Sequence, residues 1–357
     1  QGKWQLAVGL GRAVNILFGI LCILALAWAG WLYGDRRKEI FAVAVPALSV
    51  LMFRFARLNI DFAVDALLVF LTTLSLVTNY KLLRYGLQKK YLVGLVVVSI
   101  LGMATKAPYI VFFALNIVAV IMAAFVRGSN KNRRKNVLKS LIIAGAIVAI
   151  VILAIGWYYY FRNYRTSAKW YSASPNTYTG GRNYRSLIDV IMSERLRELL
   201  YANFAASFTA SIVILSFTVV GIFNVTKERI TAFIKNKTLF IPSLLMAMAL
   251  VGVFATQILF AVGYGSINFR YILPALLPIG LFLSFGLLEY KWTRGQLVSL
   301  AALIMGGLTI RSAGGIRSAT LANNIWPALP FMLLFLFVVG IVLLSTSLFV
   351  LTSKTKA

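Results

Sequence analysis

The sequence predicts an all-α membrane protein, a polytopic transmembrane helical bundle of about eleven helices. The first observation is composition, because 61% of the 357 residues are hydrophobic and 13% are charged. A water-soluble domain carries about twice that charged fraction. The second observation is arrangement, because the charged residues gather between apolar runs, many of them close to the span of about 20 residues that crosses a bilayer. A single membrane domain over residues 1–357 is expected.

The apolar runs define the predicted helices in chain order. The runs around 39–56 and 91–105 are short for a complete crossing, so a shorter or re-entrant path is expected there. The predicted helices cover residues 13–33, 39–56, 61–80, 91–105, 108–126, 139–160, 204–225, 239–263, 271–288, 296–310 and 328–351.

The basic residues predict the orientation of these helices. The net charge is +27, from 36 Lys and Arg against 9 Asp and Glu, and most of the basic residues fall in alternate loops. Loops rich in Lys and Arg stay in the cytoplasm and contact anionic membrane lipids. The first residues are therefore expected outside the cytoplasmic (plasma) membrane and the C-terminus inside. The basic loops lie at 36–38, 81–90, 127–139, 227–237 and 291–294, with the tail at 354–356.

The start of the chain carries a further expectation. The sequence begins at Gln1 rather than Met and shows no signal-peptide pattern. An external start without a signal peptide predicts that at least one helix precedes Gln1. The sequence is therefore expected to be an N-terminally truncated form of a longer protein.

Composition also limits the chemistry. There is no histidine, and Cys22 is the single cysteine. An intramolecular disulfide, a Ser-His-Asp triad and a His-ligated zinc are therefore excluded. Catalysis would have to use carboxylates, and a divalent metal could be held only through oxygen ligands.

The predicted external segment 161–203 combines aromatic and basic residues. Its turn signals and the helical spacing over 189–200 predict a loop that carries a short interfacial helix. Aromatic rings and basic groups can bind nucleic acid, but Tyr and Trp are the expected belt of a membrane interface, so we reject a nucleic-acid partner. The same side chains would suit a sugar and a lipid phosphate. Candidate substrate-loop residues are Tyr164, Trp170, Tyr171 and Arg182.

Two acidic residues stand out at the external start of the third predicted helix. Asp61 and Asp65 are four residues apart on one helix face, and Arg57 lies one turn before Asp61. Ionisable side chains at the membrane edge are functional candidates because they are costly unless they are paired. The alternative is structural, in which Arg54 and Arg57 pair with the two acids and the acids suit the helix N-terminus.

Two basic residues are candidate anion ligands on the same side. Lys106 separates two apolar runs at the external end of a predicted hairpin, and Arg270 precedes a helix that contains Pro274 and Pro278. Arg can bind a phosphate through two hydrogen bonds. The structural alternatives are a lysine that reaches the lipid head groups and an ordinary proline near a helix start.

Four stretches together resemble the GT-C superfamily of membrane glycosyltransferases, which includes protein O-mannosyltransferases and aminoarabinose transferases of lipid A. Their order and intervals are similar to the family's across about 10–290. The resemblance implies a polyprenyl-phosphate-linked sugar as donor and membrane lipids as partners. The stretches are 11–19, 57–68, 102–108 and 269–278.

The resemblance also implies roles for individual residues. The family carries its principal catalytic aspartate in an external loop after its first helix, and this chain has no such loop, which agrees with an N-terminal truncation. Asp61 or Asp65 matches the family's secondary acidic position. Arg57, Lys106 and Arg270 would bind the donor phosphate. The implied reaction is direct displacement at the anomeric carbon, with a carboxylate that deprotonates or orients the acceptor hydroxyl.

Two other functions remain open from the sequence. In a transporter or lipid flippase, the same ionisable residues would line a translocation path. Transporters usually contain repeated halves, and no internal repeat is evident in this chain. In a non-catalytic membrane scaffold derived from a transferase, the fold would remain without the reaction.

Overall fold

The computed structural model describes residues 2–34, 37–52, 65–127, 133–161, 188–189, 192, 218–219, 221–222, 225, 227–264 and 269–289. These residues form helices and connecting turns, and no strand occurs among them. The α-helices are α1 (Gly2–Tyr33), α2 (Lys38–Met52), α3 (Asp65–Tyr85), α4 (Lys89–Thr105), α5 (Ile110–Arg127), α6 (Arg133–Val151), α7 (Lys227–Lys235), α8 (Lys237–Tyr264) and α9 (Leu276–Glu289). Short 3-10 segments cover Ala107–Tyr109 and Phe269–Ala275, and a π-helical segment, Ile152–Phe161, continues α6.

The prediction of a multi-pass helical membrane protein is confirmed. Five described helices are long and apolar enough to cross a bilayer, and Ile110–Val126 is a shorter apolar helix. The five spans are Gly9–Tyr33, Asp65–Tyr85, Arg134–Gly156, Leu239–Leu259 and Ile272–Glu289. The two runs predicted to be short form α2, with 15 residues, and α4, with 17.

Several helices extend beyond their predicted limits. The first begins at Gly2 rather than residue 13, and the sixth begins at Arg133 rather than 139. The third continues to Tyr85 instead of ending at 80. Polar and basic residues at membrane edges are compatible with helix, so an apolar run underestimates helix length. The helices predicted at 296–310 and 328–351, and most of the one at 204–225, fall outside the described residues, so the count of eleven stays a prediction.

The described residues group into two compact units, and the first unit draws on residues 1–25, 56–197 and 227–278. Helix α3 lies at the centre of this unit and packs against α4, α5, α8 and the segment Phe269–Ala275. About 72% of its membrane-spanning window is buried, the largest share among the five spans. Its small hydroxyl residues Thr72, Thr73 and Ser75 are buried and allow neighbouring helices to approach closely.

A tight turn joins α3 to α4. Gly86 has a φ of +85°, the left-handed conformation that glycine adopts without steric cost at the end of a helix. Its N–H donates to the Leu82 carbonyl at 2.8 Å. Beyond the turn, the rings of Tyr85 and Tyr91 stack with centroids 6.0 Å apart. The two helices are therefore antiparallel, which returns the end of α4 to the level of the start of α3.

A buried polar cluster joins α3, α4 and α5. Oδ1 of Asn116 accepts hydrogen bonds from the Ser75 hydroxyl at 2.6 Å and the Asn79 amide at 2.8 Å. The Asn116 amide in turn donates to the Ser99 hydroxyl at 2.9 Å. All four side chains are buried. Polar groups in an apolar bundle hydrogen-bond across helices because lipid provides no alternative partner, so Asn116 fixes the relative register of these three helices.

The second unit draws on residues 26–55, 198–226 and 279–357. Glycine permits close helix contacts in it, since a Cβ at Gly30 would overlap the Phe41 carbonyl and one at Gly280 would overlap the Ser49 hydroxyl. Arg37 donates to the last turn of α9 through the Leu288 carbonyl at 2.9 Å. Arg37 also pairs with Glu289 at 3.4 Å. The expectation of one membrane domain over the whole chain stays a prediction.

Candidate functional site

Lys106 is presented by a sharp break between α4 and α5. Its backbone is extended, with φ −164° and ψ 142°, and its N–H closes α4 on the Gly102 carbonyl at 3.3 Å. Pro108 follows in the 3-10 segment, and a proline has no N–H with which to continue the α-helical ladder. The Tyr109 N–H donates to the Lys106 carbonyl at 3.0 Å. The lysine is therefore fixed at the tip of the hairpin.

The packing beneath this tip depends on a glycine. A Cβ at Gly102 would overlap the ring of Tyr109, which is fully buried and lies against Phe112 with ring centroids 5.9 Å apart. Only a glycine leaves room for this ring against α4. Residues on both sides of Lys106 therefore produce the break: Gly102 leaves room for the Tyr109 ring, and Pro108 lacks the N–H that would continue the α-helix.

Asp65 is the first residue of α3, and it forms an ion pair with Lys106. The Lys106 ammonium donates to Oδ1 of Asp65 at 2.5 Å. The Asp65 side chain is 3% exposed and that of Lys106 is 23% exposed. A buried carboxylate is tolerated when a cation compensates it, so Lys106 allows Asp65 to remain charged inside the bundle. The lysine retains access to the surface of the unit.

The second carboxylate oxygen of Asp65 is the unusual feature of the site. Oδ2 is buried and has no hydrogen-bond partner among the described residues. A carboxylate has about four lone-pair positions, and leaving a buried oxygen unpaired costs free energy. Unsatisfied buried groups in a native fold call for an explanation, and a bound ligand is one. The site can therefore accept a hydrogen bond from a hydroxyl or amine through Oδ2.

The segment Phe269–Ala275 packs against α3 and α8, so the backbone of Arg270 belongs to the same unit as the ion pair. Pro274 is buried there. The Arg270 side chain lies outside the described residues, so its role as a phosphate ligand stays a prediction. Among the described residues, no group of three Asp, Glu or Cys side chains could hold a metal ion.

The remaining predicted site residues lie outside the described part of the chain. In and beside the predicted interfacial helix only residues 188, 189 and 192 are described, and the Met192 N–H donates to the Ile188 carbonyl at 2.8 Å, with both side chains exposed. Predictions about the other residues are unchanged. The undescribed candidates are Asp61, Arg57, Tyr164, Trp170, Tyr171 and Arg182.

The structure adds two polar residues that sequence reasoning missed. Asn116 organises the buried cluster described above. Gln257 on α8 is 6% exposed, and neither its amide nitrogen nor its amide oxygen has a hydrogen-bond partner among the described residues. A carboxamide within an apolar run is a signal available from the sequence, because polar groups in membrane spans are costly and face the bundle interior.

Comparisons with known proteins give structural likeness only. No protein-family model and no curated protein matches the sequence. Among solved structures, ArnT from Cupriavidus metallidurans bound to undecaprenyl phosphate is similar, at 14% identity and a TM-score of 0.49, over 96% of this chain and 60% of that chain. The apo state of the same protein is similar at 15% identity and a TM-score of 0.48, over 95% and 59%. This chain spans about three-fifths of the length of these structures.

Proposed function

We propose that this protein is a membrane glycosyltransferase that moves a sugar from a polyprenyl-phosphate donor to a lipid, protein or glycan acceptor at the external face of the plasma membrane. The observation that carries the proposal is the buried ion pair of Asp65 and Lys106, in which one carboxylate oxygen binds the ammonium and the other has no described partner. The sequence supports the proposal, because both residues belong to stretches that resemble the GT-C superfamily.

The proposed reaction assigns a task to each group. Lys106 holds Asp65 charged and oriented, and Oδ2 accepts the hydrogen bond of the acceptor hydroxyl. As the hydroxyl oxygen bonds to the anomeric carbon, its proton passes to a carboxylate. The bond from that carbon to the phosphate oxygen breaks, and its electron pair leaves with the polyprenyl phosphate. Cationic side chains stabilise the departing phosphate, for which Arg57, Lys106 and Arg270 are the candidates.

Asp65 is the family's secondary acid in this proposal, and Asp61, one turn earlier in the sequence, is the alternative. The external position of the site follows from the basic loops, since Asp65 and Lys106 lie at the helix ends opposite the cluster at 81–90.

The test is a transfer assay with the full-length protein in membrane vesicles, with radiolabelled polyprenyl-phosphate mannose, glucose and galactose as donors. Label should leave the lipid carrier and enter a lipid, protein or glycan fraction. Asp65→Asn keeps the shape but removes the charge, and Lys106→Met keeps the length but removes the ammonium. Each variant should lower the rate of transfer by about 100-fold or more, the range typical of a lost general base or charge-stabilising group.

Glu289→Gln is the matched control, because it removes an ion pair of the second unit, Arg37–Glu289. Its transfer rate should equal that of the wild type. Wild-type rates in both Asp65→Asn and Lys106→Met would refute the assignment of the site. Movement of labelled lipid across the vesicle membrane without transfer to any acceptor would refute the transferase and support a flippase.

A further inference from the structure

Gln257 is a buried carboxamide whose hydrogen-bonding groups are all unused in the described structure. It lies on the packed face of α8, in line with Leu245, Ala249 and Val253, which are buried at intervals of four residues. Neither its nitrogen nor its oxygen has a described partner, although the residue is 6% exposed. In an apolar bundle an unpaired carboxamide is destabilising, and an apolar side chain of the same length would fit without that cost.

The depth of Gln257 can be derived from a close contact between α8 and α5. A Cβ at Gly252 would lie 2.6 Å from Cγ1 of Val111, so the two helices touch at this level. Gln257 lies five residues further along α8, about 7.5 Å at 1.5 Å per residue. Lys106 lies five residues before Val111, a similar axial distance across the 3-10 turn.

Whether Gln257 and Lys106 lie at the same depth depends on the direction of α8 relative to α5. Helix α8 begins in the basic cluster at 227–237, which the basic-loop pattern predicts on the cytoplasmic side together with the cluster at 81–90. Helix α5 begins just after Lys106, at the opposite side. The two helices are therefore antiparallel, and Gln257 lies at the depth of the Asp65–Lys106 ion pair. Helix α8 also packs against α3, which starts with Asp65.

We infer that Gln257 binds hydroxyl groups of the transferred sugar and is a specificity-determining residue of the site; this inference rests on the proposed function. A carboxamide presents one acceptor and two donors in a plane, so it can accept from one sugar hydroxyl and donate to its neighbour. A site that contains such a group discriminates against a ligand that lacks the matching hydroxyl, because the buried amide is then left unpaired. The unused groups of Gln257 are thus kept for the ligand.

The experiment compares binding of two lipids to the full-length protein in nanodiscs. One lipid is radiolabelled polyprenyl phosphate, and the other is the polyprenyl-phosphate sugar that gives transfer in the donor panel. The dissociation constant of polyprenyl phosphate divided by that of the polyprenyl-phosphate sugar measures how much the sugar contributes to binding. Gln257→Met preserves length and removes the amide. We expect this substitution to lower the ratio by about 10-fold or more, with unchanged binding of polyprenyl phosphate and a melting temperature equal to or above that of the wild type.

Thr256→Val is the matched control on the neighbouring position. The Thr256 hydroxyl already donates to the Val253 carbonyl at 2.9 Å within the helix, so its loss should leave the ratio unchanged. If Gln257→Met has the same ratio as the wild type, the inference about Gln257 is overturned. The proposed function is tested separately, by transfer activity in the wild type. A lower melting temperature in Gln257→Met would also overturn the inference, because the amide would then have a structural partner. If the wild type binds neither lipid, the proposed function itself is refuted.

Discussion

Removing Lys106 from its ion pair with Asp65 should destabilise the protein much more than removing Asp65. Lys106→Met leaves a carboxylate that is 3% exposed without its cation. Breaking a buried ion pair from one side costs about 3–5 kcal/mol. We therefore expect Lys106→Met to lower the free energy of unfolding by about 3–4 kcal/mol.

Removal of the carboxylate should cost much less. In Asp65→Leu the lysine remains, but its side chain is 23% exposed, it makes other interactions, and its flexible stem can carry the ammonium toward water. A loss of about 1–2 kcal/mol is expected. The double variant Asp65→Leu/Lys106→Met contains no unpaired charge, and replacing a buried ion pair with apolar residues is often neutral. It should lie within about 1 kcal/mol of the wild type, which gives a coupling of about 4 kcal/mol.

The assay is equilibrium unfolding in mixed micelles of SDS and a non-ionic detergent, followed by circular dichroism at pH 7. The reasoning would be refuted if the stability loss of the double variant equalled the sum of the two single losses within about 0.5 kcal/mol. A larger loss in Asp65→Leu than in Lys106→Met would also refute it.

Two further substitutions test the packing that supports the site, by thermal unfolding in detergent. Gly102→Ala should destabilise the protein by about 1–3 kcal/mol, because the new methyl group overlaps the ring of Tyr109, whereas Gly94→Ala on the same helix meets only a methyl group at 3.9 Å and should be neutral or stabilising. Asn116→Leu removes three interhelical hydrogen bonds and should cost about 2 kcal/mol at about 0.6 kcal/mol each. Ser140→Ala removes a buried hydroxyl bonded within its own helix, at 2.8 Å, and should change stability by less than about 0.5 kcal/mol. Equal losses in each matched pair would contradict these assignments.

The sequence predicts the membrane-spanning helices well because hydrophobic length is a strong signal, and α4, α5 and α8 lie within two residues of their predicted limits. It also selects Asp65 and Lys106 separately, since charges at the edges of apolar runs are conspicuous. It cannot pair them, because a separation of 41 positions along the chain carries no distance information until α3 and α4 are shown to be antiparallel.

The hydrogen-bond partners of the uncharged polar residues are even harder to predict from the sequence. Asn116 and Gln257 are both single carboxamides within apolar runs, and nothing local distinguishes them. The structure does so, because Asn116 uses its oxygen and its nitrogen in interhelical hydrogen bonds whereas Gln257 uses neither in the described residues. Whether a buried amide is structural or available to a ligand depends on which helix faces it, which is a property of tertiary packing.

This difference in hydrogen bonding also separates the parts of the first unit that hold the fold from the parts that we propose to bind substrate. The Asn116 cluster lies two or more turns along α3 from Asp65, and its main hydrogen bonds join three helices that must pack in one register. Among the described residues, Oδ2 of Asp65 and both amide atoms of Gln257 lack a hydrogen-bond partner, and so does Oδ1 of Asn79 in the cluster, each at a cost to stability. The contrast therefore lies between the two carboxamides: Asn116 uses both of its polar atoms, whereas Gln257 uses neither in the described residues, which is expected when the unpaired amide serves a ligand. Substitutions at Asn116 should therefore affect stability first, and those at Gln257 should affect binding of the sugar while sparing stability.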